Sequence, residues 1–175
     1  MEMKIELGQL YDIDEVETLY NDLNDALDSH INYPGWMKGV YPVREDAQKG
    51  IQDKSLFVAR LGSEIVGSII LSHEPEQGYD TVKWLCNADY LEVFVIRTLV
   101  VHPLYAKQGI GQKLMLFAEE QAHSCKMKSI RLDVFVKNMP AISLYEQCGY
   151  HYLATIDEGL SQYGLDWFRV YEKLC

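Results

Sequence analysis

The chain is short of the features that mark several protein classes. Its four cysteines, Cys86, Cys125, Cys148 and Cys175, lie far apart, with no CxxC pair and no nearby histidine pair. No zinc site, other metal site or disulfide framework is therefore expected, and scattered thiols suit a reducing compartment. No apolar run approaches the roughly 18 residues that a membrane helix needs, so no membrane partner is expected. The opening "MEMKIELGQL" is charged and lacks the apolar stretch of a signal peptide, which points to a cytoplasmic protein. Bases are outnumbered, 16 against 26 acids for a net charge of −10, which disfavours nucleic acid as a partner. There is no repeat, no low-complexity tract and no Ser/Gly-rich linker, and 175 residues suit a single domain, 1–175.

What the chain does have is an uneven charge and a regular alternation of apolar patterns. Residues 1–30 hold nine acids and one base, net −8, whereas residues 100–137 hold six bases and three acids, net +3. "MKIELGQ" reads as a strand, and Asp12 can cap a helix to about Ser29, with Val16, Leu19, Tyr20, Leu23 and Leu27 at helical spacing. An aromatic loop, "HINYPGWMKGVYP", leads to a short helix, "VREDAQKGIQD". "SLFVARL" and "EIVGSIILSH" flank Gly62-Ser63 as a hairpin. After an irregular stretch at 73–90, "LEVFVIRTLVVH" is apolar on both faces, as a central strand is. A helix over 110–125, a strand "SIRLDVFV", a helix over 139–148 between Pro140 and Gly149, and strands "YHYLATID" and "WFRVYEKL" complete the order. Strand–helix alternation in the second half predicts parallel crossovers in a mixed α/β sheet.

The stretch "HPLYAKQGIGQKLM" places two glycines where the central strand hands over to a helix. A helix N-terminus leaves backbone N–H groups unpaired and carries partial positive charge. Glycines let the main chain turn with positive φ and approach a ligand closely, so the pattern suits a phosphate. A tight turn with no ligand would use the same residues. The third glycine of a dinucleotide fingerprint is absent, and so is the GKS or GKT of a Walker loop, which disfavours a nucleotide-binding domain of either kind.

"LVVHPLYAKQGIGQKLM" resembles the coenzyme-A signature of the GNAT family of N-acetyltransferases, a strand, then (Arg/Gln)-x-x-Gly-x-(Gly/Ala), then a helix, with Gly109 and Gly111 at the glycine positions. "RLDVFVKNMPAISLYEQCGY" resembles the family's second signature, and the two stand in its order over about residues 91–152. Ala106 departs from the pattern, where Arg or Gln is usual; Lys107 or Gln108 would then compensate beside the main-chain amides. The resemblance implies an α/β (α+β) fold: a mixed, mostly antiparallel central sheet of six or seven strands, about four flanking helices and a splayed central strand pair.

It also implies acetyl-CoA as cosubstrate, in a cleft where the strand ending near Val101 splays from the strand near 130–136. Backbone groups of Leu99, Val100 and Val101 would pair with the pantetheine arm. Amides of Lys107, Gln108, Gly109, Ile110, Gly111 and Gln112 would hold the diphosphate. Asn138 would bond the arm, or serve only as a helix cap. Tyr145 would be the general acid: a thiol pKa of about 8.5 against a tyrosine of about 10 lets a phenol donate to the departing thiolate. It shares a face with Ala141, Leu144 and Cys148, which would equally suit a core residue.

The acceptor amine must lose a proton, since an alkyl amine with pKa about 10.4 is neutral at pH 7 at a cost of about 4.6 kcal/mol. Glu92 is the first candidate base, followed by His73 and Glu74; Arg97 cannot accept a proton at neutral pH. Tyr33, Trp36 and Tyr41, beside the acidic first helix, would line an acceptor pocket suited to a cation, or simply pack as a lid. The function implied is direct acetyl transfer to a primary amine of a small molecule or peptide. A non-catalytic acyl-CoA-binding sensor or scaffold of the same fold is the alternative, and a homodimer through C-terminal strands is left open.

Overall fold

The computed structural model describes residues 2–175. Its strands and helices arise where apolar periodicity demands them. Strand β1 (Met3–Leu7) pairs antiparallel with β2 (Leu56–Leu61), and β2 with β3 (Glu64–Ser72) across the two-residue Gly62-Ser63 turn, with a bulge at Ala59/Arg60. Helix α1 (Ile13–Ser29) and helix α2 (Arg44–Gln52) lie between β1 and β2 in the chain. Strand β4 (Val93–Val101) is followed by a 3-10 turn at Pro103–Tyr105 and by helix α3 (Ile110–Ser124). Strand β5 (Ser129–Phe135), helix α4 (Met139–Gln147), β6 (His151–Ile156) and β7 (Phe168–Leu174) close the chain.

The strand order is β1-β2-β3-β4-β5-β7-β6, a mixed and mostly antiparallel sheet of seven strands with four α-helices among the described residues, as expected. The parallel pairing is between β4 and β5, from Val93↔Ser129 to Ile96↔Leu132. Strand β7 pairs antiparallel with both β5 and β6, so the β5–α4–β6 crossover spans the strand that follows it in sequence.

The chain divides into two compact units. One comprises residues up to Asn32, Trp36–Ser72 and Arg97–Phe117. Its core packs Val16, Leu19 and Tyr20 of α1 and Ile51 of α2 with Leu56, Val58, Ile65, Ile70 and Val100 of the strands. Each helix contributes an apolar stripe, and burying such stripes on a sheet face supplies most of the stabilisation. The other unit comprises Tyr33–Gly35, His73–Ile96 and Ala118–Cys175. Its core gathers Tyr79 and Val82 with Val95, Phe135, Ile156, Phe168 and Val170. The irregular stretch at 73–90 thus carries core residues of its own, with 3-10 turns at Tyr79–Thr81 and Tyr90–Glu92. Among the described residues no helix is long and apolar enough to cross a membrane.

Candidate active site

In the first unit, the loop before α3 takes an uncommon backbone course. Lys107 (φ 61°) and Gly109 (φ 79°) both take left-handed backbone. For a lysine that conformation is uncommon; for Gly109 it is cheap, and nothing lies within 4 Å of where a side chain would begin. Ala106, Lys107, Gln108 and Gly109 are exposed. The Gly109 carbonyl accepts from Lys113 N–H at 3.0 Å, which starts the helical ladder. The N–H groups of Ile110, Gly111 and Gln112 therefore have no partner within their own helix. Left-handed residues beside a helix N-terminus turn successive N–H groups toward one point, the geometry of an anion nest. Gln108 bends its side chain back to the Leu104 carbonyl at 3.4 Å.

Two side chains tie the start of this loop to the body of the unit. His102 Nδ1 accepts from Leu104 N–H at 3.2 Å, so that nitrogen carries no proton; the proton sits on Nε2, which donates to Asp22 of α1 at 3.1 Å. Tyr105 donates to Glu64 of β3 at 2.8 Å, a contact that, with burial, raises the phenol pKa. The His102 N–H itself reaches the Val66 carbonyl at 2.9 Å. Sequence reasoning missed both ties, because Asp22 and Glu64 lie 80 and 41 residues away.

Leu99, Val100 and Val101 end β4, with Val100 fully buried against β3: its carbonyl oxygen lies 2.9 Å from where a side chain on Gly67 would begin. The kink above them was not foreseen. Thr98 has φ 49°, a true outlier for a β-branched residue, and outliers of this kind gather at functional sites. Its hydroxyl makes a very short hydrogen bond with the Tyr41 hydroxyl. Tyr41 is held further by Asn24 Nδ2 on its carbonyl at 3.2 Å and by the edge of Trp36, centroids 5.3 Å apart. Trp36 and Tyr41 therefore meet, whereas Tyr33 belongs to the other unit.

In the second unit, Asn138 caps α4, with Oδ1 accepting from Ala141 N–H at 3.4 Å. That leaves its Nδ2 donors for another partner. Tyr145 is buried, two turns on, with its ring 6.4 Å from Tyr150. Glu92 sits at the foot of β4, half-exposed, with an ion pair to Lys128 at 2.9 Å and a contact to the Asp89 N–H at 3.3 Å. The Lys128 bond holds the Glu92 carboxyl below its usual pKa, which weakens it as a base. His73 differs: its Nδ1 faces the carbonyls of Tyr90 and Val93 at 2.9 and 2.8 Å. Two acceptors on one nitrogen require a proton there, which in a neutral imidazole leaves Nε2 as the lone-pair nitrogen.

The sequence model described as the Acetyltransferase (GNAT) family matches residues 16–150. The chain belongs to the GNAT acetyltransferase family. Its sequence is 25% identical to streptothricin acetyltransferase of Escherichia coli over 134 residues, 73% of this chain and 68% of that one. In fold, this GNAT acetyltransferase is similar to an acetyltransferase of the family from Streptococcus agalactiae, with TM-score 0.76 at 18% identity, covering 99% of this chain and 95% of that one. An acetyltransferase of the family from Streptococcus pneumoniae gives 0.71 at 18% identity, covering 99% of both chains. Acetyl transfer is thus the chemistry of this chain, and it requires an acceptor. Both GNAT signatures, at 99–115 and 131–150, fall inside the matched span.

Proposed function

We propose that this protein moves an acetyl group from acetyl-CoA to a primary amine of a small molecule or peptide by direct transfer. The loop at Lys107–Gly109, open, left-handed and leading into a helix N-terminus, is the observation that carries the reading. Its amides through Gln112 hold the cosubstrate diphosphate, and the Leu99, Val100 and Val101 main chain pairs with the pantetheine arm. Asn138 offers its Nδ2 donors to that arm. The amine nitrogen attacks the thioester carbon, the tetrahedral intermediate collapses, and the C–S bond breaks. Tyr145 donates its phenolic proton to the departing sulfur. The amine proton goes to a base, and of the candidates His73, with Nε2 free, fits that role better than Glu92, which Lys128 already holds. Trp36, Tyr41 and Tyr33 supply aromatic surface for a cationic acceptor before it loses its proton. The relative streptothricin acetyltransferase supports the acetyl-transfer part of this reading.

A thiol-release assay over a panel of amines tests this. Tyr145→Phe should lower kcat by about 10²-fold or more, the scale of a lost general acid, with acetyl-CoA binding retained. Full turnover in that variant would remove Tyr145 from the chemistry. CoA binding with no thiol release on any amine would instead favour the non-catalytic acyl-CoA-binding reading.

A further inference from the structure

The second unit holds a cavity of about 260 Å³ that the acetyl-transfer reading does not use. Its composition is unusual. At its floor lies Arg131, 2% exposed, a full cation inside the protein. Its register partner across β5 and β7 is Glu172, wholly buried. The Glu172 carboxylate is saturated: Oε1 accepts from Arg131 Nε at 3.1 Å and from Ser129 Oγ at 2.7 Å, and Oε2 accepts from Leu85 N–H. Arg131 is not saturated. Nη2 donates to the Cys86 carbonyl at 2.7 Å, while Nη1 has no protein partner among the described residues.

Three aromatic side chains line the walls, and the polar atoms of Trp84 and Tyr79 are taken by the protein. The Arg131 guanidinium stacks 4.2 Å from the Trp84 ring and 5.2 Å from Tyr90. Trp84 Nε1 donates to the Tyr79 carbonyl at 3.1 Å, and the Tyr79 hydroxyl donates to Asp133. What the cavity offers a ligand is therefore apolar surface in the middle and polarity at its two ends. The mouth carries exposed Asp80 and Asn87.

A buried cation with donors to spare favours a carboxylate, because charge-assisted bonds strengthen away from water. An acid at the mouth repels a second negative charge and favours a cation. Apolar walls between them suit an aliphatic body. The volume admits a small molecule, below the usual range of drug-sized pockets. We propose that this cavity binds a free aliphatic ω-amino acid, carboxylate on Arg131 and ammonium toward Asp80, with the methylene chain between them. The site goes beyond acetyl transfer and does not depend on acetyl-CoA.

Calorimetry on the whole chain, without CoA, tests it with three probes that share one apolar body: 5-aminopentanoate, butylamine (the same chain without its carboxylate) and pentanoate (the same chain without its amine). Saturable heat is expected from 5-aminopentanoate at millimolar concentration or below. Butylamine should bind about tenfold more weakly or worse, having lost the bond to a charged, buried donor. Pentanoate should bind about fivefold more weakly, the scale of a solvent-facing ion pair. Replacing Arg131 would strand Glu172, so the variants lie at the mouth. Asp80→Asn should weaken 5-aminopentanoate about fivefold, on the same ground. Ala88→Leu, which fills the cavity, should abolish binding while thermal melting stays cooperative. No heat from 5-aminopentanoate up to about 10 mM, butylamine binding as tightly as 5-aminopentanoate, or undiminished 5-aminopentanoate binding to Ala88→Leu would each overturn the proposal.

Discussion

At the scale of single residues, the decisive feature is which nitrogen or oxygen is already spoken for. His73 has one ring nitrogen between two carbonyls and the other free, while Glu92 faces an ammonium. His73→Gln should therefore lower kcat/KM by about 10²-fold, and Glu92→Gln should leave it within a few-fold. Steady-state kinetics with the best amine of the panel reads both, and the opposite ranking would return the base to Glu92. Their sequence positions did not separate them: both are polar residues at strand ends, and only the carbonyl pair and Lys128 tell them apart. Gly109 was legible as a left-handed turn position, because glycine beside a helix start takes positive φ without strain. Lys107 and Thr98 were not, since nothing in a lysine or a threonine announces positive φ.

At the scale of elements, the loop before α3 owes its position to two long-range ties, His102 to Asp22 and Tyr105 to Glu64. Each is partly solvent-facing, so each contributes modestly alone, and together they restrict the segment that leads into α3. Tyr105→Phe combined with Asp22→Ala should raise the KM for acetyl-CoA about tenfold with kcat little changed, the signature of lost positioning. Gly109→Val should be more severe, since a β-branched residue in left-handed backbone costs about 1–2 kcal/mol before any ligand is met. Calorimetry with CoA checks that order. The elements themselves were readable in the sequence: each strand and helix follows its apolar period, Gly149 (φ 84°) stops α4, and Asn138 caps it. The placement of β7 between β5 and β6 was not readable, because pairing of distant segments leaves no local mark.

At the scale of the whole molecule, each unit has its own core, and the matched span of 16–150 runs through both. The second unit encloses the Arg131–Glu172 pair, with 2% and 0% of the side chains exposed. The register of β5 and β7 sets the two charges opposite each other, a pairing of distant segments that the sequence does not mark. Arg131→Met should destabilise the protein by about 3–5 kcal/mol, because it leaves a carboxylate buried without its counter-charge. The double variant Arg131→Met, Glu172→Leu should recover much of that loss. Urea unfolding of the three proteins reads the cycle, and equal losses in single and double variants would deny the pair its role.

The most direct test of the account is a crystal structure of the protein with acetyl-CoA bound. Diphosphate oxygens should accept hydrogen bonds from the main-chain N–H groups between Lys107 and Gln112, with the thioester sulfur within hydrogen-bond reach of the Tyr145 hydroxyl. A diphosphate bound elsewhere, with those amides facing solvent, would contradict it.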